Sequence, residues 1–356
     1  MQSDNPITFG LAGPFAQPIG RSMRLGAELA VSEINGRGGV RGRRLELLAL
    51  DDRGQNATAV QMARRFLDNS EVLAVIGHAQ STTTIAAAPV YDSGPDPIVA
   101  VSPSASSVEL GSAGATVFRV CPDDVAHAEA LAEWARAEAG ITRIATLYHN
   151  DRDSRTSAAA FRSAFTDRGG AILAEDPFSQ ALPSFEPYIA RAARRGRLDA
   201  LLVAGGETSI GPILAAIDSV GSSSTTVLGR IDLLRFAQAA GSDLEGAILS
   251  AAYLWDRGGP TNEAFVTAYL QAHGGQRPDY MAAGAYDIVH LIANAIENRG
   301  PTRSGIRTYL SSVGSEIAAF EGATGTIAFD DHGGLQRFSV EVGVVSEGAV
   351  VLFGEH

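Results

Sequence analysis

The chain has 356 residues, 45% hydrophobic and 19% charged, with a formal net charge of −12, a length that exceeds one ordinary core and suits two α/β lobes with a cleft between them. The negative balance excludes nucleic acid as a partner, since phosphate binding requires clustered Lys and Arg. All 28 basic residues are arginine, which removes Schiff-base lysine chemistry and Walker-type phosphate loops.

Ile7 to Ala12 is an apolar run ending at Gly13-Pro14, the pattern of a buried strand followed by a turn. From Ile19 to Ile34 the apolar positions Met23, Ala27, Ala30 and Ile34 recur at helical spacing, and Gly36, Gly38 and Gly39 stop the helix. Leu45 to Leu50 is the next strand. The alternation continues with helix Ala57 to Leu67, strand Val72 to Ile76, helix Thr83 to Tyr91 and strand Pro97 to Val101, which is parallel βαβ winding.

A second cycle begins after Pro122-Asp123-Asp124. It predicts helix Ala126 to Ala139, strand Ile144 to Tyr148, helix Thr156 to Arg168, strand Ala171 to Glu175, helix Phe185 to Arg195, strand Ala200 to Ala204 and helix Ile210 to Val220. Helices Asn262 to His273 and Met281 to Asn298 follow, then strands Gly325 to Phe329 and Phe338 to Val344. The two cycles share an architecture and no sequence repeat. Gly-Ser stretches such as Gly221 to Ser224 read as loops rather than linkers.

Cys121 is the only cysteine, so an intrachain disulfide and any multi-cysteine metal site are excluded and a buried structural thiol is expected. No apolar run approaches a membrane span and no signal peptide precedes Ile7, so the chain is expected to be either cytosolic or freed of its leader.

The segment INGRGGVRGRRLELLALDD, Ile34 to Asp52, resembles the signature of the leucine/isoleucine/valine-binding protein family of ABC transporters, with the periplasmic binding protein type I fold. Five further segments follow in family order: GHAQSTTT at Gly77 to Thr84, VSPSAS at Val101 to Ser106, FRVCPDD at Phe118 to Asp124, AYDIV at Ala285 to Val289 and FDDHGG at Phe329 to Gly334. The resemblance covers essentially the whole chain. It implies two Rossmann-like, doubly wound parallel-sheet lobes joined by a three-strand hinge, with crossings near Cys121, Ala251 and Phe329. The expected lobes are residues 6–120 with 252–328, and 121–251 with 329–356. It also implies a periplasmic or extracytoplasmic, monomeric binder that uses no cofactor or metal, catalyses nothing and delivers an amino acid or similar small carboxylate to a permease.

Ser81 and Thr82 follow strand Val72 to Ile76 and open the next helix. A helix N-terminus favours a carboxylate, and the hydroxyls add donors; either they bind the ligand or they cap that helix. Ser104 and Ser106 lie in the loop after the next strand, where open α/β sheets bind ligands. The resemblance implies that this loop gives an amino-acid ligand a carbonyl and a hydroxyl. His78 has no evident acid or nucleophile partner and is expected to be packed and hydrogen-bonded.

An α-ammonium needs a carboxylate or several carbonyls. Asp232 occupies approximately the place of the family's ammonium-binding acid, with Ile231 competing for the alignment. Asp124 is similar to another family acid near the cleft, and Glu207 follows Gly205-Gly206 where the family commonly has an aromatic. Each of the three is alternatively a solvated surface acid. Ser154 stands where the family places a tyrosine over the ligand, and Arg53 and Gln80 stand where some members have a disulfide. A ligand more polar than leucine is therefore expected, with Arg152 or Arg155 either meeting a second carboxylate or standing in solvent. Tyr280 and Phe15 are apolar walls of the site or parts of the core.

Two other readings remain. A ligand-sensing receptor or regulator domain of the same fold differs from a transport protein only in its partner. A dinucleotide-dependent enzyme lacks its fingerprint, since Gly10 to Gly13 is not GxGxxG and neither HExxH nor GxSxG occurs. A repressor requires an N-terminal helix-turn-helix, for which Ile7 leaves no room.

Overall fold

In the computed structural model, which describes residues 5–179 and 182–352, the chain forms two units. Among the described residues, those from 5 to 123 fold with 257–339, and those from 124 to 256 fold with 340–352. The chain therefore passes from one unit to the other three times. The last four residues of the expected second lobe, 353–356, lie outside the described residues.

The first unit opens with β1 (Ile7–Gly13), α1 (Pro18–Gly36), β2 (Leu45–Asp51), α2 (Asn56–Asp68), β3 (Val72–Ile76), α3 (Ser81–Tyr91), β4 (Val99–Ser102) and β5 (Val117–Arg119). The strands pair in parallel in the order β2-β1-β3-β4-β5. Phe66, Val72, Val75, Ile98 and Tyr91 fill the core between α2, α3 and the sheet. The winding reverses between β1 and β3, which opens a crevice at the carboxyl ends of those two strands.

The second unit repeats the order with α4 (Asp124–Ala137), β6 (Arg143–His149), α5 (Arg152–Asp167), β7 (Ala171–Phe178), α6 (Glu186–Arg194), β8 (Ala200–Ala204), α7 (Ile210–Ser219), β9 (Thr226–Arg230), α8 (Asp232–Ala239) and β10 (Ile248–Ala251). Its five parallel strands run β7-β6-β8-β9-β10, so the reversal falls between β6 and β8. Strand β8 is buried along its whole length, as a central strand covered on both faces must be. One face packs Leu201, Val203, Ile213 and Leu249, and the other packs Leu202, Leu228, Phe161 and Phe165.

The chain then returns to the first unit as α9 (Pro260–Ala272), α10 (Tyr280–Arg299), α11 (Arg303–Ser312) and the hairpin β11 (Phe320–Gly322) and β12 (Gly325–Ile327). Helix α10 packs on α1 at very short range: a Cβ on Gly26 would lie 2.0 Å from the Ala282 carbonyl oxygen, so only glycine fits there. Arg303, 5% exposed, donates to five carbonyls, those of Phe66, Leu67, Asn69, Val72 and Asp96. It thereby joins the returning segment to the end of α2 and the start of β3. Residues 329–339 also keep to the first unit, where Arg119 donates its N–H to the Gly333 carbonyl. Finally β13 (Glu341–Ser346) pairs antiparallel with β10, and β14 (Ala349–Leu352) antiparallel with β13.

The doubly wound reading holds for both units, and the antiparallel β13–β14 edge departs from the expected all-parallel sheet. Phe338, expected in the last strand, is 46% exposed and lies outside β13. Strands β5, β9, β10, β11 and β14 and helices α8 and α11 carry no strong sequence signal. The strands are three to five residues long, and Gly229 interrupts the apolar run of β9.

Candidate ligand-binding site

In the first unit the residues predicted from sequence gather at the carboxyl end of the sheet. Phe15 follows β1, Ser81 follows β3, and Ser104 and Ser106 follow β4. His78 lies in the loop between β3 and α3, after a cis peptide bond from Gly77. Its ring is fully buried, with Nδ1 2.6 Å from Asp52 Oδ2 and Nε2 2.9 Å from the Tyr91 hydroxyl. It is a packed, hydrogen-bonded histidine. Burial, and then the neighbouring Asp52 charge, push the Tyr91 hydroxyl well above its ordinary range.

Ser81 is the first residue of α3, and the capping position before it is Gln80, whose side chain makes no capping bond. Neither Ser81 nor Thr82 therefore occupies the cap. The Ser81 oxygen accepts from the Ser107 N–H at 3.2 Å, which leaves its own O–H proton for another acceptor. Thr82 is exposed. Thr83 and Thr84 donate to the Gln80 carbonyl at 3.0 and 2.7 Å and hold the turn closed.

Ser104 donates its hydroxyl to the Ala79 carbonyl at 2.6 Å, and Ser102 donates to the His78 carbonyl at 2.7 Å. The two loops are thus tied together. The Ser104 proton is committed, so toward a ligand its oxygen acts as an acceptor. Ser106 is 9% exposed in the same loop. Phe15 and Tyr280 are both half-buried rather than core. Tyr280 opens α10 just after Asp279, whose carboxylate caps that helix through the Met281 and Ala282 N–H groups.

In the second unit the same geometry places an anionic set. Asp151 and Ser154 follow β6, Glu207 follows β8, and Arg230 and Asp232 end β9 and begin α8. Ser154 is 6% exposed, and both its N–H and its hydroxyl bond to Asp151, at 2.8 and 3.1 Å. Its donors complete the cap of α5. The spacing Asp151-x-x-Ser154 carries that signal. A Cβ on Gly205 would meet the Ser154 hydroxyl at 1.9 Å, so the β8 loop lies directly on this cap. Arg155 is exposed and bonds Asn150, and Arg152 is also exposed.

The three candidate acids differ in their partners. Asp124, 8% exposed at the start of α4, forms an ion pair with Arg230. Asp232 lies 3.6 Å from Arg235. Glu207 is half-buried and, among the described residues, pairs with no basic side chain. Burial raises its carboxyl above the usual range, and Asp232 and Asp151 push the same way against Arg230. Arg230 is the residue that sequence reading misses. Nothing local marks it, because Asp124 lies 106 positions away.

Residues 7–343 match the family model described as periplasmic binding protein. The chain belongs to the periplasmic binding protein family. Among curated relatives, the leucine-, isoleucine-, valine-, threonine- and alanine-binding protein of Pseudomonas aeruginosa is 25% identical, with 94% of this chain and 89% of the relative covered. Among solved structures, the ABC transporter substrate-binding protein from Desulfitobacterium hafniense in complex with Leu is 29% identical with a TM-score of 0.86, covering 98% of this chain and all of the other. A second structure described as the ABC transporter substrate-binding protein from that organism is 30% identical with a TM-score of 0.84, at the same coverage. Periplasmic binding proteins take up solutes and are not enzymes, and two doubly wound sheets are their architecture. No helix among the described residues is long and apolar enough to cross a membrane.

Proposed function

We propose that this periplasmic binding protein takes up an amino acid or a closely similar small carboxylate outside the cytoplasm and, as a monomer, delivers it to an ABC transporter permease. The observation that carries the reading is the opposite polarity of the strand ends in the two units. The first presents the uncapped N-terminus of α3 with the Ser81 O–H, which suits a carboxylate. The second presents Glu207 beside Asp232 and Asp151, which suits an ammonium group. An amino acid carries a group suited to each.

Glu207 and the capped Ser154, at positions where rings are expected, support a ligand more polar than leucine. The names of the relatives and the Leu complex support an amino-acid ligand, small polar ones included. Calorimetric titration of the full chain with alanine, threonine and leucine tests the reading. Binding of a small polar amino acid, lost in Glu207→Gln, is the expected result. Tight leucine binding with no response to threonine sinks the polar-ligand choice, and silence toward every amino acid sinks the class.

A further inference from the structure

Several charges gather at the strand ends of the second unit. Arg230, the last residue of β9, lies beside the β10 residue Ser250 and reaches across to the Asp124 carboxylate at the start of α4. Arg235 stands 3.6 Å from Asp232. Asp151 is exposed to solvent, where it bonds His149 Nδ1 at 2.5 Å and the Ser154 hydroxyl, so screening weakens its reach. Glu207 is half-buried and forms no ion pair among the described residues, and the charge that acts on it against Asp232 and Asp151 is that of Arg230.

His127, one turn along α4 from Asp124, supplies an independent observation. It is 1% exposed, and neither ring nitrogen has a hydrogen-bond partner among the described residues. Burial and the Arg230 charge hold it well below the ordinary histidine range, so it stays neutral and adds no positive charge. The positive charge that offsets Asp124 comes from Arg230.

We propose that Arg230 is a specificity-determining residue: a single guanidinium set against two carboxylates, Asp124, which it pairs, and Glu207, it leaves one negative charge in excess and so fits the second unit to a ligand with a single positive group. A neutral or acidic amino acid carries one ammonium and meets one charge. Lysine or ornithine carries two, and the second finds Arg230 where it needs an acid. Discrimination of this kind rests on an element that repels the wrong ligand as well as one that attracts the right one.

The inference rests on the amino-acid reading above, and the experiment separates the two. Full-length wild type, Arg230→Met and the double variant Asp124→Asn/Arg230→Met are titrated calorimetrically with L-threonine and L-lysine. Arg230→Met exposes a second carboxylate, and the lysine-to-threonine affinity ratio is expected to rise about tenfold, the scale of one charge acting across partly screened protein. The double variant removes both charges, and its ratio returns to that of wild type.

An unchanged ratio in Arg230→Met overturns the inference and leaves the amino-acid reading standing. A rise that persists in the double variant also overturns it, because charge balance is then not the cause. No binding of either amino acid to wild type overturns both. Should circular dichroism show Arg230→Met unfolded, Asp124→Asn alone carries the test: the cluster becomes neutral and threonine affinity falls about tenfold, whereas unchanged affinity counts against the proposal.

Discussion

Ser81 accepts one hydrogen bond from the Ser107 N–H and keeps its own proton, a division that suits a residue serving structure and ligand at once. Ser81→Ala is expected to weaken binding of a carboxylate ligand by about 1–3 kcal/mol while lowering stability by about 1 kcal/mol for the lost Ser107 bond. Titration and chemical unfolding measure the two separately; a stability loss with unchanged affinity assigns Ser81 to structure alone. Sequence makes Ser81 visible because a strand, a glycine and a hydroxyl-rich helix start lie within ten residues. The pairing of Arg230 with Asp124 stays invisible for the opposite reason: their meeting depends on where β9 lies in the sheet relative to α4, and no local pattern encodes that. Ser154 illustrates a third case. Its place in the family resemblance singles it out, and the Asp151 three positions earlier takes its donors for the helix cap.

Among the elements, those with a full apolar run are readable: β3 and β8 span the residues their sequences predict. Strand β10 has only four residues and is defined by pairing with β9 and β13. The β11–β12 hairpin is likewise set by a distant residue. Asp287 on α10, 1% exposed, accepts from the Ala323 and Thr324 N–H groups and the Thr324 hydroxyl at the turn. Burial pushes its carboxyl up to about 6 against those hydrogen bonds. A carboxyl raised on folding binds its proton more tightly in the native state, so its contribution to stability is complete below about pH 4 and disappears as pH rises through about 6. The stability advantage of wild type over Asp287→Asn is therefore expected to shrink between pH 4 and 6.5 by on the order of 3 kcal/mol. Urea unfolding of both proteins across that range checks it, and a flat difference contradicts the assignment.

At the scale of the molecule, both units place their candidate ligand groups by the same rule: strand order reverses between the first and third strands, and the loops at that end of the sheet carry the candidate side chains. The alternation of elements in the sequence shows the rule, and the family resemblance shows the pairing of units. Neither shows the antiparallel β13–β14 edge, because two short strands at the end of the chain read equally well as covering or as extending a sheet. A chain cut after residue 256 keeps the five parallel strands of the second unit and loses α10 and Arg303 from the first. Limited proteolysis of that fragment is expected to digest residues 1–123 well before 124–256. Equal resistance of both segments runs against it.

The five carbonyls gathered by Arg303 set a timetable. Their owners are made within the first hundred residues, and the guanidinium that satisfies them is made two hundred residues later. Strands β1 to β5 are all made by residue 119, and they wait for α10 and α11 while the five parallel strands of the second unit are made. Until Arg303 is made, those carbonyls depend on water or on other groups for their hydrogen bonds.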